Sequence, residues 1–174
     1  KRLNYDDDKD DIYKNIRSRE SKGKYDYVLA ADDAALVFVK EYRKELFDGV
    51  PVVFEGINNV DTAEEAAKDP LMTGIVEAFP LHETIALADK LNPAATKVVG
   101  ISDSTISGIG STKQCMDCKD SFPNLAFSTI DCSSMTCDEI GKKVAGYGND
   151  TILVFLMMTT DKDGINYSLT EAVE

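Results

Sequence analysis

Short apolar runs alternate with helical stretches along the whole chain, and this alternation limits what the chain can fold into more than any other feature. The clearest run is 151–157, Thr-Ile-Leu-Val-Phe-Leu-Met, apolar at successive positions and so on both faces of a strand. Further strands are predicted at 25–31, 50–54, 72–76, 97–101 and 125–130. Helices are predicted between them. One covers 10–22, with Ile12 and Ile16 on one face. Others cover 34–46, 62–68, Pro80 to 91 (Leu81, Ile85 and Ala88 on one face), 111–120, 137–145 and 168–174. Asp48-Gly49 and Asn92-Pro93 punctuate two of these boundaries, and 56–59 and 102–110 read as loops.

Strands of this kind joined through helices imply right-handed βαβ units and an α/β fold whose parallel sheet is covered on both faces. In such sheets ligands bind at the carboxyl ends of the strands. The segments that follow the strands are therefore the candidate site. Asp32 and Asp33 end the first strand and can cap the next helix, worth ~1 kcal/mol, or touch a ligand. Asn58 and Asn59 follow the second strand, and their amides donate and accept at once. Ser104, Thr105, Ser107 and Gly108 offer small hydroxyls and accessible backbone N–H groups, and Thr159, Thr160 and Asp161 follow the strongest strand. Several of these segments open a helix, where free N–H groups and the positive dipole end suit an anionic or carbonyl group.

Composition excludes several classes. The 174 residues are 43% hydrophobic and 29% charged, enough to bury a core in one domain or two small lobes. A net charge of −12 opposes binding to nucleic acid or to an anionic membrane surface. The acidic run Asp6-Asp7-Asp8 with Asp10 and Asp11 lacks the Gly and closing Glu of a calcium loop and suits a first helical turn, so no metal is expected. No Gly-Lys-Ser/Thr ending completes a phosphate loop. His82 is the only histidine and neighbours no nucleophile motif, so neither catalysis nor a cofactor is expected. Cys115, Cys118, Cys132 and Cys137 leave four readings open: partly buried free thiols, one or two disulfides, a zinc site and a redox pair. Asp32-Asp33 also invites comparison with a receiver-like or flavodoxin-like enzyme, but the third Asp and late Lys of a receiver do not line up. No apolar run is long enough to span a bilayer, and the chain opens on Lys-Arg-Leu-Asn without a signal peptide, as an excised piece would.

The segment Tyr25-Asp26-Tyr27-Val28-Leu29-Ala30-Ala31-Asp32-Asp33-Ala34-Ala35-Leu36 resembles the strand-to-helix segment of the ABC transporter substrate-binding protein family. More closely, it resembles the related sensor domains of bacterial histidine kinases and diguanylate cyclases. The likeness continues through 45–59 (Glu-Leu-Phe-Asp-Gly-Val-Pro-Val-Val-Phe-Glu-Gly-Ile-Asn-Asn), 73–77, 86–93, 97–105 and Asp161-Lys162-Asp163-Gly164. It implies a type I periplasmic-binding fold: two Rossmann-like lobes, 1–78 and 79–174, with a ligand in the cleft between them. It also implies that each lobe is partial here, the family having further elements before and after these positions. The function so implied is an extracytoplasmic sensor domain of a membrane-anchored signalling protein, with an amino-acid-like or small organic ligand. A homodimer fits such domains. The alternative is the binding component of a transporter.

Overall fold

The computed structural model describes residues 5–20, 23 and 25–173. The chain divides into two compact units, Lys1–Glu77 and Ala78–Glu174, and each is a Rossmann-like α/β assembly around a three-stranded parallel sheet.

In the first unit the strands are β1 (Val28–Ala31), β2 (Val52–Ile57) and β3 (Met72–Val76), in the spatial order β1-β2-β3. The helices are α1 (Tyr5–Glu20), α2 (Asp33–Glu41), the short α3 (Arg43–Leu46) and α4 (Val60–Ala66). The sequence places α1 at 10–22; it starts earlier, and Ser21 and Lys22 lie outside the described residues. Tyr42 separates α2 from α3 within the single helix expected at 34–46, and Gly49, at φ 71, turns the chain into β2. One apolar cluster forms the core. Ala30, Val52, Phe54 and Met72 project from one face of the sheet onto Leu36 and Phe38, and α1 adds Ile12, Tyr13 and Ile16 from outside. The Arg43 guanidinium pairs with Asp69 at 2.8 Å and also donates to the Phe47 carbonyl, tying α3 to the approach to β3.

The sequence expectation that the sheet is covered on both faces fails in this unit. Leu29, Val53 and Ile75 are 58%, 44% and 69% exposed. The cause is topological. Each crossover steps in the same direction across the sheet, and right-handed crossovers that all step one way put their helices on one face.

The second unit shows the contrast. Its strands are β4 (Lys97–Ser102), β5 (Ala126–Asp131) and β6 (Thr151–Phe155), in the order β5-β4-β6. The chain moves one way from β4 to β5 and back across β4 to reach β6, so the connecting helices fall on opposite faces. On one face Val98, Ile152 and Val154 pack with Ile85 of α5 (Leu81–Leu91), joined by α6 (Ile106–Asp117), whose Cys115 lies beside Gly100. On the other, Val99, Ile101 and Ile130 pack with Ile140 of α7 (Cys137–Ala145). A 3-10 turn, Cys118–Ser121, follows α6, and α8 (Leu169–Val173) ends the described chain. Thr136 and Glu139 form a reciprocal capping box that starts α7 where its sequence predicts.

Two further differences from expectation fall at the strand ends. Gly56 and Ile57, read as loop, belong to β2, which continues through Gly56 at φ 66 with a shift in register. The expected loop 102–110 is mostly helix. α6 begins at Ile106, capped by the Thr105 hydroxyl, so Ser107 and Gly108 sit in its first turn. Among the described residues, no helix is long and apolar enough to cross a membrane.

Candidate functional site

β1 passes into α2 without an intervening loop, and Asp32 absorbs the whole change of direction. Its N–H donates to the Glu55 carbonyl at 3.0 Å as the last rung of the sheet, while its own carbonyl accepts from Leu36 N–H at 3.2 Å as the first bond of the helix. The side chain caps that helix by accepting from Asp33 N–H at 2.6 Å. These demands hold Asp32 at φ 78, ψ 157, the one non-glycine residue at positive φ among those described. That region is essentially reserved for glycine, and an L side chain there costs ~1–3 kcal/mol. Strain of this kind persists where the surroundings enforce it, and it concentrates at binding sites.

Asp32 also lines a cavity of about 500 Å³, open on one side, at the carboxyl ends of β1, β2 and β3. Glu55, Gly56, Asn58, Ile75 and Glu77 are among its other walls. Three carboxylates and no basic side chain surround it, so its field favours a positively charged group. Glu55 and Glu77 are absent from the sequence candidates. Glu55 faces outward within a strand and Glu77 sits one residue past another, so neither lies in a loop that draws notice. Replacing Asp32 with glycine is expected to raise stability by about 1 kcal/mol in a denaturant titration, because relief of the strained backbone exceeds the few tenths lost with the cap. A midpoint that is unchanged or lower would show that the residue is not strained.

Asp33 and Asn59 sit beside this cavity and serve it from behind. Asp33 is wholly buried. Its Oδ2 accepts from the backbone N–H and side-chain amide of Asn58 at 3.2 and 3.1 Å, and its Oδ1 accepts from Asn59 N–H at 3.0 Å. The carboxylate thus fixes the segment after β2 to the start of α2 and presents Asn58 to the cavity. The Asn59 side chain caps α4 by accepting from Thr62 N–H at 3.1 Å.

The second unit gathers its own strand ends by the same device. In the order β5-β4-β6 the chain reverses direction about β4, so the switch point at which open α/β sheets bind ligands lies between the ends of β4 and β6. Asp103, buried after β4, accepts through Oδ1 from Thr105 N–H (3.1 Å) and hydroxyl (2.5 Å). Through Oδ2 it accepts from Thr159 N–H (2.7 Å) and hydroxyl (2.6 Å). Exposed Ser104 bridges to the next strand end. Its N–H donates to Ser133 Oγ at 2.8 Å and its hydroxyl to Asp131 Oδ1 at 2.9 Å. Gly108 is buried against Asp103, and a Cβ there would overlap the Asp103 carbonyl and carboxylate oxygens. Ser104, Thr105, Ser107 and Gly108 stand out in the sequence as small polar residues after a strand; Asp103 and Asp131, the acids that hold Ser104 and Thr105, do not.

Thr160 bridges to Asn166 across the polar loop after β6, and Asp161, nearly fully buried, is the hub of that loop. Burial pushes the Asp161 carboxyl up. Hydrogen bonds from Ile165 N–H, Tyr167 hydroxyl, Asp163 N–H and Cys137 N–H outweigh it and hold the group below the usual carboxylate range. Tyr167 is pushed up to about 12 by its own burial and by the Asp161 partner. Nearby, Lys162 and the Thr136 backbone lower Glu139 to about 2. Both carboxyls titrate lower in the folded chain than in the unfolded one. Their stabilisation is complete above ~pH 4.5 and is lost as the pH falls toward the folded values. Melting temperatures should therefore drop steadily from about pH 4.5 to pH 2, and Asp161→Asn should flatten part of that slope. A flat profile would contradict these assignments.

The remaining sequence candidates resolve structurally. All four cysteines are free thiols; Cys115 and Cys132 are buried, which pushes each to about 11, far from a reactive thiolate. Among the described residues no group of His, Cys, Asp or Glu side chains is arranged to hold a metal ion. His82 packs against Phe122 in a tilted arrangement, ring centroids 5.1 Å apart. No family model, no curated protein and no solved structure matches this chain.

Proposed function

We propose that the chain is a small-molecule-binding module, the extracytoplasmic sensor part of a membrane-anchored signalling protein of the type I periplasmic-binding kind, and not an enzyme. The observation that carries this reading is Asp32. A strained, exposed carboxylate is held beside Asn58 in an open cavity at the ends of three parallel strands. The acidic walls make an ammonium-bearing ligand, such as an amino acid or a small amine, the best fit, in place of the anionic group that helix starts alone suggest. Ligand engagement by the strand-end segments favours one arrangement of the parent protein over another, and that differential affinity is what a sensor transmits. The binding component of a transporter would use the same site.

The test is a thermal-shift screen of the 174-residue chain against amino acids, amines, purine-like compounds and small organic acids. Stabilisation by ammonium-bearing compounds, abolished in Asp32→Asn, is the expected result. Absence of any shift across all four classes would count against the reading.

A further inference from the structure

We propose that the cavity at the ends of β1, β2 and β3 selects linear diamines and polyamines, compounds with two or more ammonium groups on an aliphatic chain, over amino acids. The selection rests on the reading of this cavity as a ligand site and narrows the ligand class.

Charge separates the two classes. Asp32, Glu55 and Glu77 line the cavity, and no Lys, Arg or His is among the described residues that line it. A monoamine offsets one of the three carboxylates, and a diamine offsets two. An amino acid brings a carboxylate of its own, which meets no cation there. The start of α2 does not substitute for one. The Asp32 carboxylate accepts from Asp33 N–H at 2.6 Å and so already sits at the positive end of the helix dipole. A carboxylate placed among three others without a partner is repelled, and it loses water contacts that nothing replaces. The net charge of −12 adds a long-range attraction for polycations.

Spacing points the same way. Ala31 stands opposite Glu55 in the sheet, so Asp32 is the next residue along. Phe54 pairs with Gly74 and Ile57 with Val76, which sets Glu55 beside Ile75 and puts Glu77 about two residues beyond that level. The Glu77 N–H donates to the Ile57 carbonyl at 2.8 Å and fixes this position. At ~3.3 Å per residue and ~4.8 Å between strands, the Glu55 backbone stands ~6 Å from that of Asp32 and ~8 Å from that of Glu77. The nitrogens of an extended 1,4-diamine span five bonds of about 1.5 Å, ~6 Å in a straight line. Flexible glutamate side chains cover the remaining difference. Between the carboxylates, Ala31, Gly56, Ile75 and Val76 make an apolar floor. A methylene chain lies along such a floor with its charged ends in the polar rim.

The test is calorimetric titration of the 174-residue chain with 1,4-diaminobutane, ornithine and butylamine. Ornithine is the same diamine with an added carboxylate, and butylamine lacks the second ammonium group. The diamine should bind roughly tenfold tighter than either, or better. Glu55→Gln and Glu77→Gln should each weaken the diamine about tenfold and leave the melting temperature unchanged, because neither side chain belongs to the core. Glu64→Gln combined with Asp120→Asn, two exposed acids that do not line the cavity, should leave diamine affinity unchanged. Ornithine or butylamine binding as tightly as the diamine, and weakened by Glu55→Gln, overturns the selection while the cavity stands as a ligand site. An equal loss in the Glu64→Gln and Asp120→Asn control also overturns it, because the diamine would then be held by diffuse charge. No binding by any of the three compounds overturns both the selection and the ligand-site reading that it narrows.

Discussion

Gly74→Ala is expected to cost the first unit roughly 3 kcal/mol or more, at the upper end of overpacking penalties. Gly74 pairs directly with Phe54 of the central strand, and a Cβ there would overlap both the Phe54 carbonyl oxygen and its ring. The phenyl group belongs to the core and the carbonyl to a strand backbone, so neither can swing aside. Relief requires β2 and β3 to separate, which exposes the core beneath them. Denaturant titration followed by circular dichroism should show an early transition in this variant. Gly141, in the interior of α7, is the control: nothing lies near its missing Cβ, and alanine there should stabilise by about 0.5–1 kcal/mol through helix propensity. The same substitution thus has opposite signs at two glycines, and packing alone decides between them.

Asp33→Ala is the second large effect, about 3–5 kcal/mol. It removes the acceptor for three donors: two backbone N–H groups and the amide of a buried asparagine. Hydrogen bonds to a charged group are each worth ~1.5–3 kcal/mol, and these three act as a unit, so their losses do not simply add. Asp33→Asn keeps one good acceptor oxygen and should fall between the two. Amide exchange at Asn58 and Asn59 should accelerate in both variants, and ligand binding should weaken with it, because Asn58 would lose its orientation. Unchanged exchange at these two sites would mean that the carboxylate does not anchor the segment.

These two residues mark where the sequence is legible and where it stops. The six strands are readable because each is a short apolar run with turn residues beside it, and β3 and α7 fall at their predicted positions. Asp32 is readable as a helix cap because the cue is local. Its positive φ is not, because the strain comes from a ladder bond to Glu55, 23 residues away. Asp33 and Asp103 read as members of polar segments, while their partners lie 25 and 56 positions along the chain. Gly56 reads as loop because glycine usually punctuates, and here it carries a strand through a register shift. The start of α6 is not legible in the sequence because Ser and Gly are poor helix formers. The Thr105 cap and the contact of Gly108 with Asp103 settle the local structure instead. The open face of the first sheet escapes a sequence reading for a related reason. Leu29, Val53 and Ile75 look as buried as their neighbours, and only strand order determines that no helix covers them.

The arrangement therefore divides labour among acids. Asp33, Asp103 and Asp161 are spent inside the fold, each collecting donors from segments that follow strands. Asp32, Glu55 and Glu77 remain around the cavity, where a ligand can reach them. On the proposed reading, stability resides in the first set and ligand recognition in the second, and Asp32→Gly should strengthen the fold while Asp33→Ala weakens it.

The most direct check is a nitrogen-15 chemical-shift titration of the 174-residue chain with the ammonium-bearing compound that stabilises it most. Perturbations gathered at Ala31, Asp32, Gly56, Asn58 and Val76 are the predicted outcome. Saturable shifts that leave these amides untouched, or no saturable shifts at all, would contradict it.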